Sequence, residues 1–107
     1  MTTARYVGDG PAGGVAQIAD GAQWALAGPL TFADAGQVLV STRSLALPAS
    51  GIVDCSGIGT VDSAAVAVLL ALKRRGAAEG RSLAFSGIPA ALALLADLYG
   101  VGEILAA

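Results

Sequence analysis

The chain has 107 residues, a length that fits one domain, and 55% of them are hydrophobic. The formal net charge is −2, with six Lys and Arg against eight Asp and Glu, so no basic excess exists to neutralise a nucleic-acid backbone. There is no histidine and one cysteine, Cys55, which removes the usual ligands of zinc, a Cys–His nucleophile and a Ser–His–Asp triad. We therefore expect no metal, no cofactor and no enzymatic activity.

Neither a targeting segment nor a membrane span is expected. Residues 1–14 lack a charged stretch followed by an apolar one, and the apolar runs 64–72 and 88–96 are far shorter than the roughly 20 residues that cross a bilayer. A single cysteine cannot form an internal disulfide, which suits a reducing compartment. We expect a cytoplasmic protein whose apolar surface is buried in its core or against a partner.

The first quarter of the chain predicts an irregular segment and a hairpin. Residues 1–14 are rich in Gly, Thr and Pro and are expected to be irregular. Residues 15–19 and 23–27 read as two short strands joined at Asp20-Gly21, a pair typical of tight turns.

A helix is predicted next. Gly28-Pro29 is expected to end the second strand. Thr31 and Asp34 have the spacing of a capping box, which predicts a helix that runs to about residue 45.

The second half of the chain alternates strands with helices. Residues 51–55 predict a buried strand, 56–60 a loop with two glycines, and 63–78 a helix that ends at Gly80. A strand over 81–86 and a helix from Pro89 to about Gly100 follow, the helix with an apolar stripe of Ile88, Leu92, Leu95 and Tyr99.

The predicted order is therefore β-β-α-β-α-β-α, which indicates one α/β domain over residues 1–107. We expect a mixed sheet of four to five strands, with right-handed crossovers that place three to four helices on one side.

The stretch 53–65 is the most informative for function, because it joins a strand end to a helix start, where sites of open α/β sheets are usually built. Asp62 is expected to cap the helix by accepting from the N–H of Ala64 or Ala65. Ser63, in the first turn, is interpreted as a hydrogen-bonding contact or a phosphorylation site, or as an ordinary polar residue. It is not a catalytic nucleophile, because no base is present to activate it.

The helix that begins at Ser63 has two different faces. The large apolar residues share one arc, and the opposite side is a shallow strip of small residues that ends in positive charge. Such a strip lets a partner approach closely, although alanine is also simply a good helix former on an exposed face. The strip consists of Ser63, Ala64, Ala67, Ala71, Arg74 and Arg75.

Three other readings of this region are weaker. Gly57-x-Gly59 resembles part of a phosphate-binding loop but lacks the full glycine spacing and the lysine of a P-loop. Asp54 and Asp62 are two carboxylates without residues to position a substrate. Cys55 is expected to be a buried strand residue with no reactivity.

Taken together, four segments resemble the STAS domain family over about residues 15–105. These are GPLTF at 28–32, VDCS at 53–56, VDSAA at 61–65 and LAFSGI at 83–88. Bacterial anti-sigma factor antagonists of this family carry an Asp-Ser-Ser-Gly-like motif whose second serine is phosphorylated. Here Ala64 stands at that position, so the sequence is closer to the Asp-Thr-small-small motif of the MlaB-like members.

MlaB-like proteins are cytosolic subunits of the Mla phospholipid-transport ABC system. The resemblance implies a non-enzymatic subunit that contacts the ABC ATPase, peripheral to the inner membrane through that complex. The expected partner-binding residues are Asp62, Ser63, Ala64, Ala67, Ala71 and Arg74. Two alternatives remain: an anti-sigma factor antagonist that binds a kinase-like anti-sigma factor, with Ser63 as the candidate phosphorylation site, and a small-ligand or nucleotide-binding module.

Overall fold

A computed structural model describes residues 5–7, 14–18 and 21–106. Five strands of this part form one sheet in the order β1-β2-β3-β4-β5, in which the first three are antiparallel and the last three parallel. The strands are Arg5–Val7 (β1), Gly14–Ile18 (β2), Gln23–Leu30 (β3), Ile52–Val61 (β4) and Ala84–Ser86 (β5). The helices are Phe32–Arg43 (α1), Ser63–Ala78 (α2), Ala90–Leu98 (α3) and Gly102–Ala106 (α4). The predicted mixed α/β architecture is confirmed.

The helices cover one face of the sheet. The crossovers β3-α1-β4 and β4-α2-β5 both step to the next strand in the same direction, so right-handed connections place α1 and α2 on the same side. Over the first four residues of β3 and of β4, buried residues alternate with half-buried ones, which is the pattern expected of a strand with one face in the core. The core contains Val15, Trp24, Leu26, Val53, Cys55, Val68, Leu69, Leu72 and Leu92.

Strands β3 and β4 are longer than the sequence indicates. Gly28-Pro29 does not end β3, and 56–60 is not a loop, because the two strands stay paired to Leu30 and Val61. The register shifts by one extra β4 residue twice along this stretch, and such bulges bend a strand without ending it. Gly57 permits the close approach: a Cβ there would lie 3.1 Å from the Ala27 Cβ.

The remaining differences lie near the chain ends. The prediction of irregular structure over 1–14 is wrong at Arg5–Val7, which pairs with β2, and at Gly14, which begins β2. The rest of 1–13 lies outside the described residues, as do Ala19 and Asp20 of the predicted hairpin. Strand β5 is confined to three residues. Tyr99 follows α3 and is 57% exposed, so it is not part of the buried stripe.

Helices α1 and α2 lie side by side, and hydrogen bonds from Arg75 of α2 connect them at the C-terminal end of α1. Its guanidinium donates from Nη1 to the Thr42 carbonyl at 2.8 Å and from Nη2 to the Leu45 carbonyl at 2.7 Å, at the C-terminal end of α1. It also lies 5.7 Å from the centroid of the Trp24 ring. Arg75 was expected on the exposed side of α2, but these contacts turn it towards α1.

Candidate functional site

Asp62 joins the N-terminal ends of α1 and α2. It is the N-cap of α2, as predicted, and its Oδ1 accepts from the backbone N–H of Ala64 at 2.8 Å. Its Oδ2 accepts from the backbone N–H of Phe32, the first residue of α1, at 3.0 Å. One carboxylate therefore satisfies a free N–H of each helix and complements both helix dipoles. Asp62 fixes the separation of the two helix starts.

A second capping interaction orients the start of α1. The Asp34 carboxylate accepts from the backbone N–H of Thr31 at 3.2 Å and from its hydroxyl at 2.8 Å. This confirms the predicted pairing of Thr31 with Asp34. Asp34 accepts from the N–H of Thr31, and Asp62 accepts from the N–H of the next residue, Phe32. Two carboxylates therefore fix the backbone at the start of α1.

A groove of about 490 Å³ opens between the two helices, next to this junction. One wall belongs to the first two turns of α1 and the other to the first turns of α2. No lining residue carries a charge, and the Ser63 hydroxyl is the one polar side chain among them. The lining consists of Phe32, Ala35, Gly36 and Leu39 from α1 and Ser63, Ala64, Ala67 and Val68 from α2.

Helix α1 buries polar residues together with an apolar one and leaves two large apolar side chains exposed. Its buried residues are Val38, Asp34, Ser41 and Thr42, whereas Phe32 is 88% exposed and Val40 55% exposed. A helix on the surface of a monomer normally buries its apolar stripe and exposes its polar one. Of these two residues only Phe32 lines the groove, and an exposed large apolar side chain there is typical of a surface that another protein covers.

The structure places the predicted partner-binding residues in four different positions. Ser63, Ala64 and Ala67 line the groove, whereas Asp62 is half-buried and holds the helix starts together. Ala71, one turn beyond Ala67, is half-buried and does not line the groove.

Arg74 is exposed and lies in a different place. It lines a separate cavity of about 290 Å³ between α2 and the C-terminal residues Val101 and Ile104. Lys73 lines this cavity as well, and its ammonium donates to the Leu83 carbonyl at 3.0 Å. Arg74 is therefore not part of the uncharged groove.

Sequence reasoning missed the α1 wall, above all Phe32 and Gly36. The signal was present: at 100° per residue, Phe32, Gly36 and Val40 share one side of α1, and the polar residues Asp34 and Ser41 fall on the other. This sequence pattern alone does not indicate which side of α1 packs against the core.

The weaker candidates have structural roles. Cys55 is buried within β4, as predicted. Burial raises the pKa of its thiol from 9.0 to about 12, assisted by the negative charge of Asp54. Asp54 accepts from the backbone N–H of Ser56 at 2.9 Å. Gly57 and Gly59 lie within β4 and not in a loop.

Two features are absent from the residues that the structure describes. Among them, no group of three or more His, Cys, Asp or Glu side chains is placed to hold a metal ion. None of the helices in this part of the chain combines the length and the apolar character needed to cross a bilayer.

Comparison with known proteins identifies the family. A comparison with curated proteins finds no match to this chain. The family described as "MlaB, STAS domain" matches residues 15–106, which covers the described helices and strands except β1 and the first residue of β2. STAS domains typically mediate protein–protein interactions and are generally not enzymes. The match, together with the mixed sheet and the Asp62-Ser63 helix start, shows that the chain belongs to the MlaB-like STAS domain family.

Proposed function

We propose that this chain is a non-enzymatic accessory subunit that docks on the ATPase of an MlaB-type phospholipid-transport ABC system and stabilises or regulates it. The uncharged groove between α1 and α2 is the docking surface, and Phe32 is its main anchor. The observation that carries this proposal is an aromatic side chain with 88% of its surface exposed at the rim of a 490 Å³ apolar groove. Energetically dominant interface residues are enriched in aromatic side chains that fill pockets.

Preorganisation supports the same role. Asp62 fixes the N-terminal ends of α1 and α2, and Arg75 fastens α2 to the end of α1. The walls of the groove are therefore preformed in the unbound protein, which reduces the conformational entropy that is lost on binding.

The anti-sigma antagonist alternative needs a hydroxyl at the second position of α2. That position is Ala64, which has none and lines the groove wall. Ser63 is exposed at the first position and is the remaining candidate for phosphorylation. The two functions therefore differ in their partner and in whether Ser63 is modified.

Affinity purification of the tagged chain from detergent-solubilised cells, with mass spectrometry of the co-eluting proteins, tests the proposal. We expect an ABC ATPase together with its permease. Ser63→Glu and Ala67→Arg each place a charge in the groove and should abolish co-elution while the cooperative unfolding transition is retained. Val40→Arg is the matched control, because Val40 is exposed on α1 but does not line the groove. Recovery of an anti-sigma factor without a transporter would refute the proposal.

A further inference from the structure

We infer that the segment which occupies the α1–α2 groove is an amphipathic α-helix of the partner protein, with an uncharged face of about two turns. This inference rests on the proposed function, because it specifies what enters the same groove. It follows from the hydrogen-bonding capacity, the spacing and the charge of the groove walls.

The groove walls offer few free backbone hydrogen-bonding groups to an occupant. Both walls are α-helices, whose backbone N–H and C=O groups are paired within each helix beyond the first and last turns. At the helix starts, Asp62 accepts from the N–H groups of Phe32 and Ala64. An extended segment in the groove would find few partners for its own backbone, and unpaired buried polar groups are costly. A helix satisfies its backbone internally and avoids this cost.

The residues of the α1 wall have the spacing of one helix face. The α1 wall is formed by Phe32, Ala35, Gly36 and Leu39, which follow the i, i+3, i+4, i+7 spacing of one helix face. From the first to the last of these residues the wall rises roughly 10 Å, at 1.5 Å per residue. Apolar side chains spaced three and four residues apart on a partner helix match a wall of this periodicity, as in other complexes that place a helix in a groove.

The groove has small residues on both walls and no charged side chain in its lining. Gly36 on one wall and Ala64 and Ala67 on the other are small, so a helix backbone can approach the groove floor. A Cβ built on Gly36 would meet nothing within 4 Å, which means that the space above it is open. No lining side chain is charged, so a charged group from the partner would be desolvated there without a counter-ion. The face of the partner helix that enters the groove is therefore uncharged.

Photo-cross-linking of the intact complex in cells tests this inference. p-Benzoylphenylalanine is placed at Phe32 in one variant and at Leu39 in another, and the cross-linked partner residues are mapped by mass spectrometry. Because the two positions are roughly 10 Å apart along the wall, a helical occupant gives cross-links about seven residues apart, at 1.5 Å per residue. An extended occupant gives them about three residues apart, at 3.3 Å per residue. The same amino acid at Ser82, exposed and outside the groove, is the control.

The outcomes separate the two proposals. Cross-links within one partner segment, about seven residues apart, support a helical occupant. Cross-links about three residues apart, or in two unconnected segments, overturn the helix but leave the docking groove intact. No cross-link from either position would overturn the groove as well. If the Leu39 variant does not unfold cooperatively, Gly36 takes its place, and the expected spacing becomes about four residues for a helix and about two for a strand.

Discussion

Replacement of Arg75 by methionine tests how far one side chain holds α1 and α2 together. Methionine keeps most of the aliphatic stem and removes the donors to the Thr42 and Leu45 carbonyls. Hydrogen bonds that involve a charged group contribute about 1.5–3 kcal/mol each. The Arg75 side chain is 26% exposed, so the lower end of that range applies to each bond. We expect the free energy of unfolding to fall by about 2–3 kcal/mol.

Urea denaturation followed by far-UV circular dichroism measures this change, and thermal denaturation should show a melting temperature lower by roughly 10–20 °C. The control is Glu79→Gln, which removes the ion pair from Arg75 Nε to Glu79 Oε2 at 2.9 Å and leaves both carbonyl contacts. The Glu79 side chain is 49% exposed, and exposed pairs of this spacing contribute about 0.3–0.5 kcal/mol. Equal losses in the two variants would refute the assignment of the stabilisation to the carbonyl contacts.

Three further predictions concern Gly76, Gly36 and the buried thiol of Cys55. Gly76→Ala should lower stability by about 1 kcal/mol, because the new Cβ would lie 2.9 Å from Leu83 Cγ and 3.1 Å from the Arg81 carbonyl oxygen, and this overpacking exceeds the gain in helix propensity. Gly36→Ala, with open space around it, should instead raise stability by about 0.5–1 kcal/mol in the same urea titration; a loss there would contradict this. Because the folded pKa of Cys55 is raised from 9.0 to about 12, its contribution to stability is present below pH 9 and is lost as the pH rises from 9 through 12. Urea titrations across this range should show a decline that Cys55→Ala lacks, and an equal decline in both proteins would contradict the assignment.

The elements that sequence reasoning located well are those with strong local signals. The bounds of α2 were predicted correctly, because Asp62 caps its start and Gly80, at φ +73°, follows its end. The capping box at Thr31 and Asp34 likewise located the start of α1. These signals depend on residues three or four positions apart and need no tertiary information.

The features that were missed depend on contacts between distant parts of the chain. The glycines of 56–60 indicate a loop until Ala27 is seen against Gly57, where a Cβ would lie 3.1 Å from the Ala27 Cβ, closer than an ordinary contact. The role of Arg75 is equally hidden, because its partners lie 30 and 33 residues away. Similarly, phenylalanine is a residue type that is usually buried in a core, and only the packed fold shows that Phe32 faces outwards.

The most direct test of the docking groove compares Phe32→Ala with Val40→Ala for binding to the co-purified ABC ATPase by isothermal titration calorimetry. Both side chains are exposed on α1, so both variants should retain the stability of the unaltered protein within about 0.5 kcal/mol. We expect Phe32→Ala to weaken binding by at least 2 kcal/mol, or about 30-fold in Kd, and Val40→Ala to change it by less than about 0.5 kcal/mol. Equal effects of the two substitutions, or full affinity in Phe32→Ala, would contradict the groove as the docking surface.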